Sequence, residues 1–154
     1  LCVQEKRVFD YTCIGVQKSA NTPSLFKKAK ELNTLIIYSE DLSSTNKSLD
    51  LIKEKINKSD FFYLSICLDS FNMSIAPGVS APQINGLELK ETTPILDFLF
   101  ASEKLISIDI VELSPPYDLN EITAKLAANI IYRLLLLQKS ASSKRLEKIN
   151  SFNV

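Results

Sequence analysis

The sequence predicts an α/β fold in which helices cover both faces of a mostly parallel sheet, giving a three-layer α/β/α arrangement. Apolar runs of strand length alternate with helical stretches throughout the chain, and this alternation is typical of parallel sheets with right-handed crossovers. One run, from Phe61 to Leu68, is continuously apolar and aromatic apart from Ser65. It is too short for an ordinary helix and therefore predicts a strand buried on both faces.

In the first part of the chain, proline and serine mark the helix starts. Pro23 follows Thr22 and suits the first turn of a helix, and Ser43 or Ser44 can cap a lysine-rich helix. The predicted elements here are a strand over 8–16, a helix over 25–32, a strand over 35–38 and a helix over about 46–57.

The second part is predicted to continue the alternation, with Thr92 or Thr93 before Pro94 opening its first helix. Its predicted elements are a strand over 61–68, a helix from Thr92 to about 102, a strand over 106–113 and a long helix over 120–137. Residues 1–138 are thus expected to form one α/β domain. Residues 139–154 form a separate tail, with Leu146, Ile149 and Phe152 at helical spacing, which is interpreted either as a short docking helix or as a frayed end.

Composition excludes several classes of function. Lys plus Arg equals Asp plus Glu at 18 each, so no basic stripe indicates nucleic acid as a partner. No apolar stretch predicts a membrane span or a signal peptide. Three widely spaced cysteines, Cys2, Cys13 and Cys67, suit reduced thiols in the cytoplasm better than a disulfide framework.

The loop that follows the 61–68 strand is the strongest candidate for a functional site. Between Tyr63 and Leu87 lie two of the three glycines and two of the six prolines in the chain, which predicts a rigid, irregular loop. Cys67 and Asp69 are two residues apart, so in a strand their side chains share a face. They would lie at the carboxyl end of the strand, where open α/β sheets collect their ligands.

Three blocks of sequence resemble one known family. Ser65-Ile-Cys-Leu-Asp69, followed by Ala76-Pro-Gly and Gly86-Leu, resembles the second metal-binding signature of the ureohydrolases: arginases, agmatinases and formimidoylglutamases. Asp109-Ile-Val-Glu-Leu-Ser-Pro115 is similar to the strand end of that family, Asp-x-x-Glu-x-Asn-Pro. Gly15-Val-Gln-Lys-Ser-Ala-Asn21 and Pro77-Gly-Val-Ser-Ala-Pro82 resemble the formimidoylglutamase branch most. The resemblance spans about residues 8–138 and implies the carboxyl-terminal half of an arginase-like fold, without its amino-terminal half.

This resemblance implies a metal-dependent hydrolase of amidine or guanidine C–N bonds. Family members use a pair of Mn²⁺ ions to activate a bridging water, and their substrate would be N-formimidoyl-glutamate, cleaved to glutamate and formamide. The implied metal ligands are Asp69 and Cys67, and Glu112 would hold the cationic group of the substrate. Without the resemblance, Asp69 would be interpreted as a turn former or helix cap and Glu112 as a solvated carboxylate. For Cys67 two interpretations are equal: a metal ligand, or a small buried residue that has replaced one. Asp109 would support the loop or metal shell, or else cap a turn.

The departures from the family pattern define an alternative. Cys67 and Asn72 stand where the family has Asp, Ser114 stands where it has Asn, and the chain contains no histidine. The family's further ligands and catalytic histidine lie in the missing half, so no catalytic residue is assigned and the isolated chain is expected to be inactive. The alternative is a non-catalytic, structural or regulatory arginase-fold protein. In either case an exposed sheet edge predicts a homo-oligomer.

Overall fold

The computed structural model describes residues 10–42 and 47–152 of the 154-residue chain, with side chains as far as residue 141. Its residues divide into two compact units, Leu1–Ser48 and Leu49–Val154. Each unit contains one pair of parallel strands. The α/β class and the parallel strands of the prediction are thereby confirmed.

In the first unit, strand β1 (Thr12–Val16) pairs in parallel with β2 (Leu35–Tyr38), and helix α1 (Pro23–Glu31) connects them. The pairing shifts register between Ile14 and Val16. Gly15, which lies between them, has a φ of 82°, a conformation that glycine adopts without a steric penalty. The glycine therefore allows the register shift that precedes the last pair of the ladder, Val16 and Tyr38.

The predictions for this unit are partly confirmed. α1 and β2 lie where they were expected, whereas β1 begins at Thr12, later than predicted. The predicted strand residues 8 and 9, and the proposed caps Ser43 and Ser44, lie outside the described residues. A short helix α2 (Ser39–Leu42) was not predicted.

The second unit pairs β3 (Phe62–Cys67) in parallel with β4 (Leu105–Val111). Helix α3 (Lys47–Lys58) precedes β3, α4 (Leu89–Phe100) connects the strands, and α5 (Ile122–Phe152) follows β4. Helices α4 and α5 contribute half of the buried apolar residues described in this unit: Ile95, Leu96, Leu99, Phe100, Leu126, Ala127, Ile130 and Ala141. The predicted tail continues α5 without a break as far as Phe152.

β3 differs from its prediction in one respect, because it is not buried on both faces. Its burial alternates along the strand: Ile66 is buried, whereas Tyr63 is 56% exposed. An apolar run indicates that a strand is suited to burial on both faces. Whether both faces are buried depends on other segments that pack against the strand, and the run itself does not show this.

Helix α4 begins at Leu89, earlier than the predicted start at Thr92. Glu88 and Glu91 form a reciprocal capping box at this end, in which each side chain accepts a backbone N–H of the other residue. Pro94 therefore lies inside the helix rather than in its first turn. The prediction gave most weight to the proline and missed the two glutamates.

The ends of β4 and α5 are set by residues with positive φ. β4 ends at Val111 rather than Leu113, because Glu112 has a φ of 73° and leaves the extended region. α5 begins at Ile122, later than predicted, because Asn120 and Glu121 have φ values of 51° and 58°.

Helix α5 is held against α4 by polar contacts as well as by apolar packing. The Arg133 guanidinium donates two hydrogen bonds to the Asp97 carboxylate, and one of them, from Nη2 to Oδ2, measures 2.5 Å. Gln138 Nε2 donates to the carbonyl of Phe100 at 2.6 Å. Within the described ranges, no helix has the length and apolarity that crossing a membrane requires.

Candidate functional site

The candidate site lies at the carboxyl edge of the β3–β4 sheet. Cys67 is the last residue of β3 and pairs with Val111, the last residue of β4. Asp69 follows β3 in a 3-10 turn, and Glu112 follows β4 directly. The structure thus places the three predicted site residues at the ends of two adjacent parallel strands.

Cys67 and Asp69 contact each other directly. The Sγ of Cys67 donates a hydrogen bond to Oδ1 of Asp69 at 2.7 Å. Burial raises the pKa of the Cys67 thiol to about 12, with further increases from the Asp69 hydrogen bond and charge and from the charge of Glu112. At neutral pH, Cys67 is therefore a protonated thiol that donates its hydrogen bond to Asp69, the other proposed metal ligand.

This pair does not form a complete metal site. Among the residues that the structure describes, no group of three or more His, Cys, Asp or Glu side chains lies close enough to hold an ion. Two donors, one of them a protonated thiol, cannot enclose a pair of divalent cations. The donor set in this part of the chain therefore does not fit the two-ion centre that the sequence resemblance implies.

Glu112 has an unusual backbone and a specific side-chain partner. It is exposed, and its φ of 73° lies in the left-handed region, which is uncommon for a residue other than glycine. Ser80, in the loop after β3, donates its hydroxyl to Oε2 of Glu112 at 2.6 Å. Such strained positions persist only where surrounding contacts hold them, and they cluster at functional sites.

The loop that carries Ser80 is anchored two residues earlier, at Gly78. The backbone N–H of Gly78 donates to Oγ1 of Thr123 at 2.7 Å, and its carbonyl accepts the N–H of Ser114 at 2.8 Å. A Cβ added to Gly78 would lie 2.4 Å from Cβ of Asp118. Only glycine permits this approach, which ties the loop to the segment after β4 and to the start of α5.

Asp118 caps α5 at this junction. Its two carboxylate oxygens accept the backbone N–H groups of Thr123 and Ala124 at 2.8 and 2.9 Å. Burial works to raise the pKa of Asp118, but these hydrogen bonds, the Thr123 hydroxyl and the charge of Lys125 together lower it below its ordinary value. The carboxylate therefore favours the capped, folded state.

Asp109 lies further from the strand end than the other carboxylates. It is opposite Ser65 in the sheet and accepts a hydrogen bond from the hydroxyl of Tyr63. Hydrogen bonds from Ser65 and Tyr63 lower the pKa of Asp109. The residue is part of strand β4, so the structure gives it a role within the sheet rather than as a turn cap.

Two residues that differ from the family pattern, Asn72 and Ser114, form hydrogen bonds in the loop. Asn72 donates its Nδ2 to the carbonyl of Ile84 at 2.6 Å and accepts the N–H of Ser74 at 2.9 Å. Ser114 contributes its backbone N–H to Gly78. Both residues help to shape the loop.

Sequence reasoning missed Ser80, Asp118 and Thr123. The serine belongs to the Pro77–Pro82 motif already noted, and an Asp a few residues before an apolar helix is an ordinary capping signal. However, Ser80 bonds to Glu112, and Thr123 bonds to Gly78, across distant segments of the chain. The sequence alone does not indicate these contacts.

Comparison with known proteins places the chain in a family. Residues 2–137 match the family model described as "Arginase family", and the chain belongs to this family. Within it, the chain is 48% identical over 136 residues to a formimidoylglutamase from Legionella pneumophila (strain Paris). That match covers 87% of this chain but only 43% of the relative, so the chain spans less than half the length of that protein.

Solved structures agree on the fold. A formimidoylglutamase from Bacillus subtilis superposes with a TM-score of 0.76 at 25% identity, over 83% of this chain and 41% of that structure. A Trypanosoma cruzi formiminoglutamase, solved with Mn²⁺, superposes with a TM-score of 0.72 at 17% identity, over 81% of this chain and 43% of that structure. The arginase-like fold, represented in part, is therefore confirmed.

Proposed function

We propose that this chain is the carboxyl-terminal part of a formimidoylglutamase, a hydrolase that cleaves N-formimidoyl-glutamate. The observation that carries the proposal is the 48% identity over 136 residues to the Legionella formimidoylglutamase. In the reaction, water adds to the amidine carbon and the bond to the glutamate nitrogen breaks. The products are formamide and glutamate.

Glu112 is the proposed binding residue for the substrate amidinium. A carboxylate can accept two parallel N–H hydrogen bonds from such a planar cation. Glu112 is exposed at the carboxyl edge of the sheet, where α/β folds bind ligands, and Ser80 already fixes one of its oxygens. These features support a binding role rather than an unconstrained surface carboxylate.

Asp69 and Cys67 are the proposed contribution of this chain to the metal centre. Manganese prefers oxygen and imidazole donors, whereas a thiolate favours softer ions. A centre that includes Cys67 is therefore expected to bind Mn²⁺ weakly or to prefer another metal. The remaining donors would come from polypeptide outside the segment that matches the relatives. For this reason the chain alone is proposed to be inactive.

A second candidate function is a non-catalytic arginase-fold protein. The observation in its favour is the bond from the protonated Cys67 thiol to Asp69, because this contact occupies an oxygen that a metal would need. This alternative retains the fold and the anchored loop but not the chemistry.

A chimera tests the two functions against each other. The 154-residue chain replaces the matched segment of the Legionella relative, and release of formamide is measured with Mn²⁺. Hydrolysis by the chimera, with none by the isolated chain, supports the enzyme. A chimera that stays inactive with Cys67 restored to Asp, although it folds, supports the non-catalytic protein.

We further propose that the whole protein is cytoplasmic and forms a homo-oligomer. Its substrate is proposed to be a small-molecule amidine or guanidine. Exposed apolar side chains at the β3–β4 sheet support the oligomer: Tyr63 and Ile106, within the strands, are 56% and 63% exposed, and Phe61, immediately before β3, is 66% exposed. Light scattering on a dilute solution of the chain tests it, and a monomer at all concentrations would contradict it.

A further inference from the structure

We propose that Ser80 is a positioning residue that fixes the Glu112 carboxylate for a cationic amidine. This inference rests on the proposed function, because it concerns the same site. It adds a residue that neither the sequence resemblance nor the comparisons single out.

The contact itself is the first observation. Ser80 Oγ donates to Glu112 Oε2 at 2.6 Å, although both side chains are exposed and water could satisfy each of them. An exposed hydrogen bond between distant residues holds a defined geometry only if both backbones are fixed. Otherwise the ordering of the two side chains costs more free energy than the bond returns.

Both backbones are in fact constrained. On one side, Glu112 follows β4 directly and has a φ of 73°, outside the extended region. On the other side, Gly78 is hydrogen-bonded to Thr123 and Ser114, and it packs against Asp118 so closely that no side chain fits. Thr123 is fully buried, at 0% exposure, so water does not compete for this anchor.

The chemistry of the bond suits a planar cation. The Ser80 hydroxyl uses one lone pair of Oε2, which leaves Oε1 and the second lone pair of Oε2 to accept two N–H groups. The bond also holds the carboxylate plane in one orientation before a ligand arrives. A ligand that needs two parallel hydrogen bonds therefore binds without paying to order the side chain.

The first experiment uses the complete chain and a small probe. The chain is labelled with ¹³C at the glutamate carboxyl carbons and titrated with formamidinium, and the Glu112 signal is identified with Glu112→Gln. We expect Ser80→Ala to weaken formamidinium binding roughly tenfold, the loss typical of one hydrogen bond to a charged group. Ser80→Thr, which keeps the hydroxyl, should restore it. Ser74→Ala, an exposed serine in the same loop, is the matched control and should bind like the wild type.

Two results would overturn the proposal: equal formamidinium affinity in Ser80→Ala and wild type, or no response of the Glu112 carboxyl carbon to formamidinium in the wild type. In the active chimera, Ser80→Ala should raise KM roughly tenfold with a smaller change in kcat. If the chimera does not hydrolyse formimidoyl-glutamate while the titration still separates Ser80→Ala from wild type, the proposed substrate is wrong and the positioning role stands.

Discussion

The two strand ends that meet at the candidate site differ in how their functional residues are held. At the end of β3, Cys67 and Asp69 bind each other, and burial keeps the thiol protonated. At the end of β4, Glu112 is exposed and is held by Ser80 from an anchored loop. At the β3 end the two candidate ligands are thus hydrogen-bonded to each other, whereas at the β4 end the carboxylate is exposed to solvent.

This difference separates two requirements of an amidine hydrolase. Recognition of a planar cation needs one oriented carboxylate, and at the β4 end Glu112 is held by Ser80 from a distant segment of the chain. A metal centre needs several donors in a fixed geometry, and the β3 end has two candidate donors, Cys67 and Asp69, bonded to each other. Changes at Gly78, Cys67, Thr123 and Asp118 test whether the two ends are independent.

Gly78→Ala is expected to have the largest effect. The new Cβ would lie 2.4 Å from Cβ and 2.6 Å from Cα of Asp118, so either the loop or the start of α5 must move. We expect the free energy of unfolding to fall by about 3 kcal/mol, the upper end for overpacking, as measured by urea denaturation of the chain. Ser74→Ala, in the same loop, is the control. A loss below about 0.5 kcal/mol, the range of ordinary surface substitutions, would show that the anchor is soft.

Cys67→Asp tests the β3 end separately. In the chimera, this substitution replaces the soft sulfur donor of Cys67 with carboxylate oxygens, which Mn²⁺ prefers. We therefore expect the Mn²⁺ affinity to rise roughly tenfold to a hundredfold, the range seen when groups that support a metal site are altered. Isothermal titration with Mn²⁺ measures this change. Formamidinium binding at Glu112 should stay within about twofold, because the anchored loop is not altered. Unchanged Mn²⁺ affinity would remove Cys67 from the metal site.

The sequence predicted the two strand ends better than it predicted their connection. The apolar runs located β3 and β4, and their parallel pairing brought Cys67, Asp69 and Glu112 to one edge. The positive φ of Glu112 could not be foreseen, because glutamate has no preference for that conformation. Glu112 is bonded to Ser80 in a loop far away in sequence, and that loop is in turn bonded to α5 through Gly78 and Thr123.

The same reasoning explains the errors in the helices and in β3. Pro94 predicts too late a start for α4, because the Glu88–Glu91 capping box sets that start. The predicted burial of β3 on both faces is also wrong, because Tyr63 is half exposed. Apolar composition shows that a strand can be buried, not that other segments cover it. The error at α4 therefore came from a local signal that was overlooked, whereas the burial of β3 depends on contacts with residues outside its own stretch of sequence.

Thr123→Val tests the buried link between the loop and α5. Valine keeps the shape of threonine but removes the oxygen that accepts the Gly78 N–H at 2.7 Å, so a buried donor is left without its acceptor. We expect a loss of about 1 to 2 kcal/mol in the free energy of unfolding, measured in urea, and weaker formamidinium binding. Thr123→Ser, which keeps the hydroxyl, is the control for binding. If Thr123→Val reduces stability but leaves formamidinium binding unchanged, the anchor holds the fold and not the carboxylate.

The pH dependence of α5 capping is the smallest expected effect. The folded pKa of Asp118 lies below its ordinary value, so its contribution to stability is present above the unfolded pKa, about 4. That contribution is lost as the pH falls through the folded pKa. Asp118→Asn keeps an acceptor but cannot ionise, so the wild type should be the more stable protein near neutrality and should lose that advantage in acid. Thermal melts of the two proteins over this range measure the difference. A constant difference at every pH would mean that the cap acts through hydrogen-bond geometry alone, and the link between the loop and α5 would then not depend on the Asp118 charge.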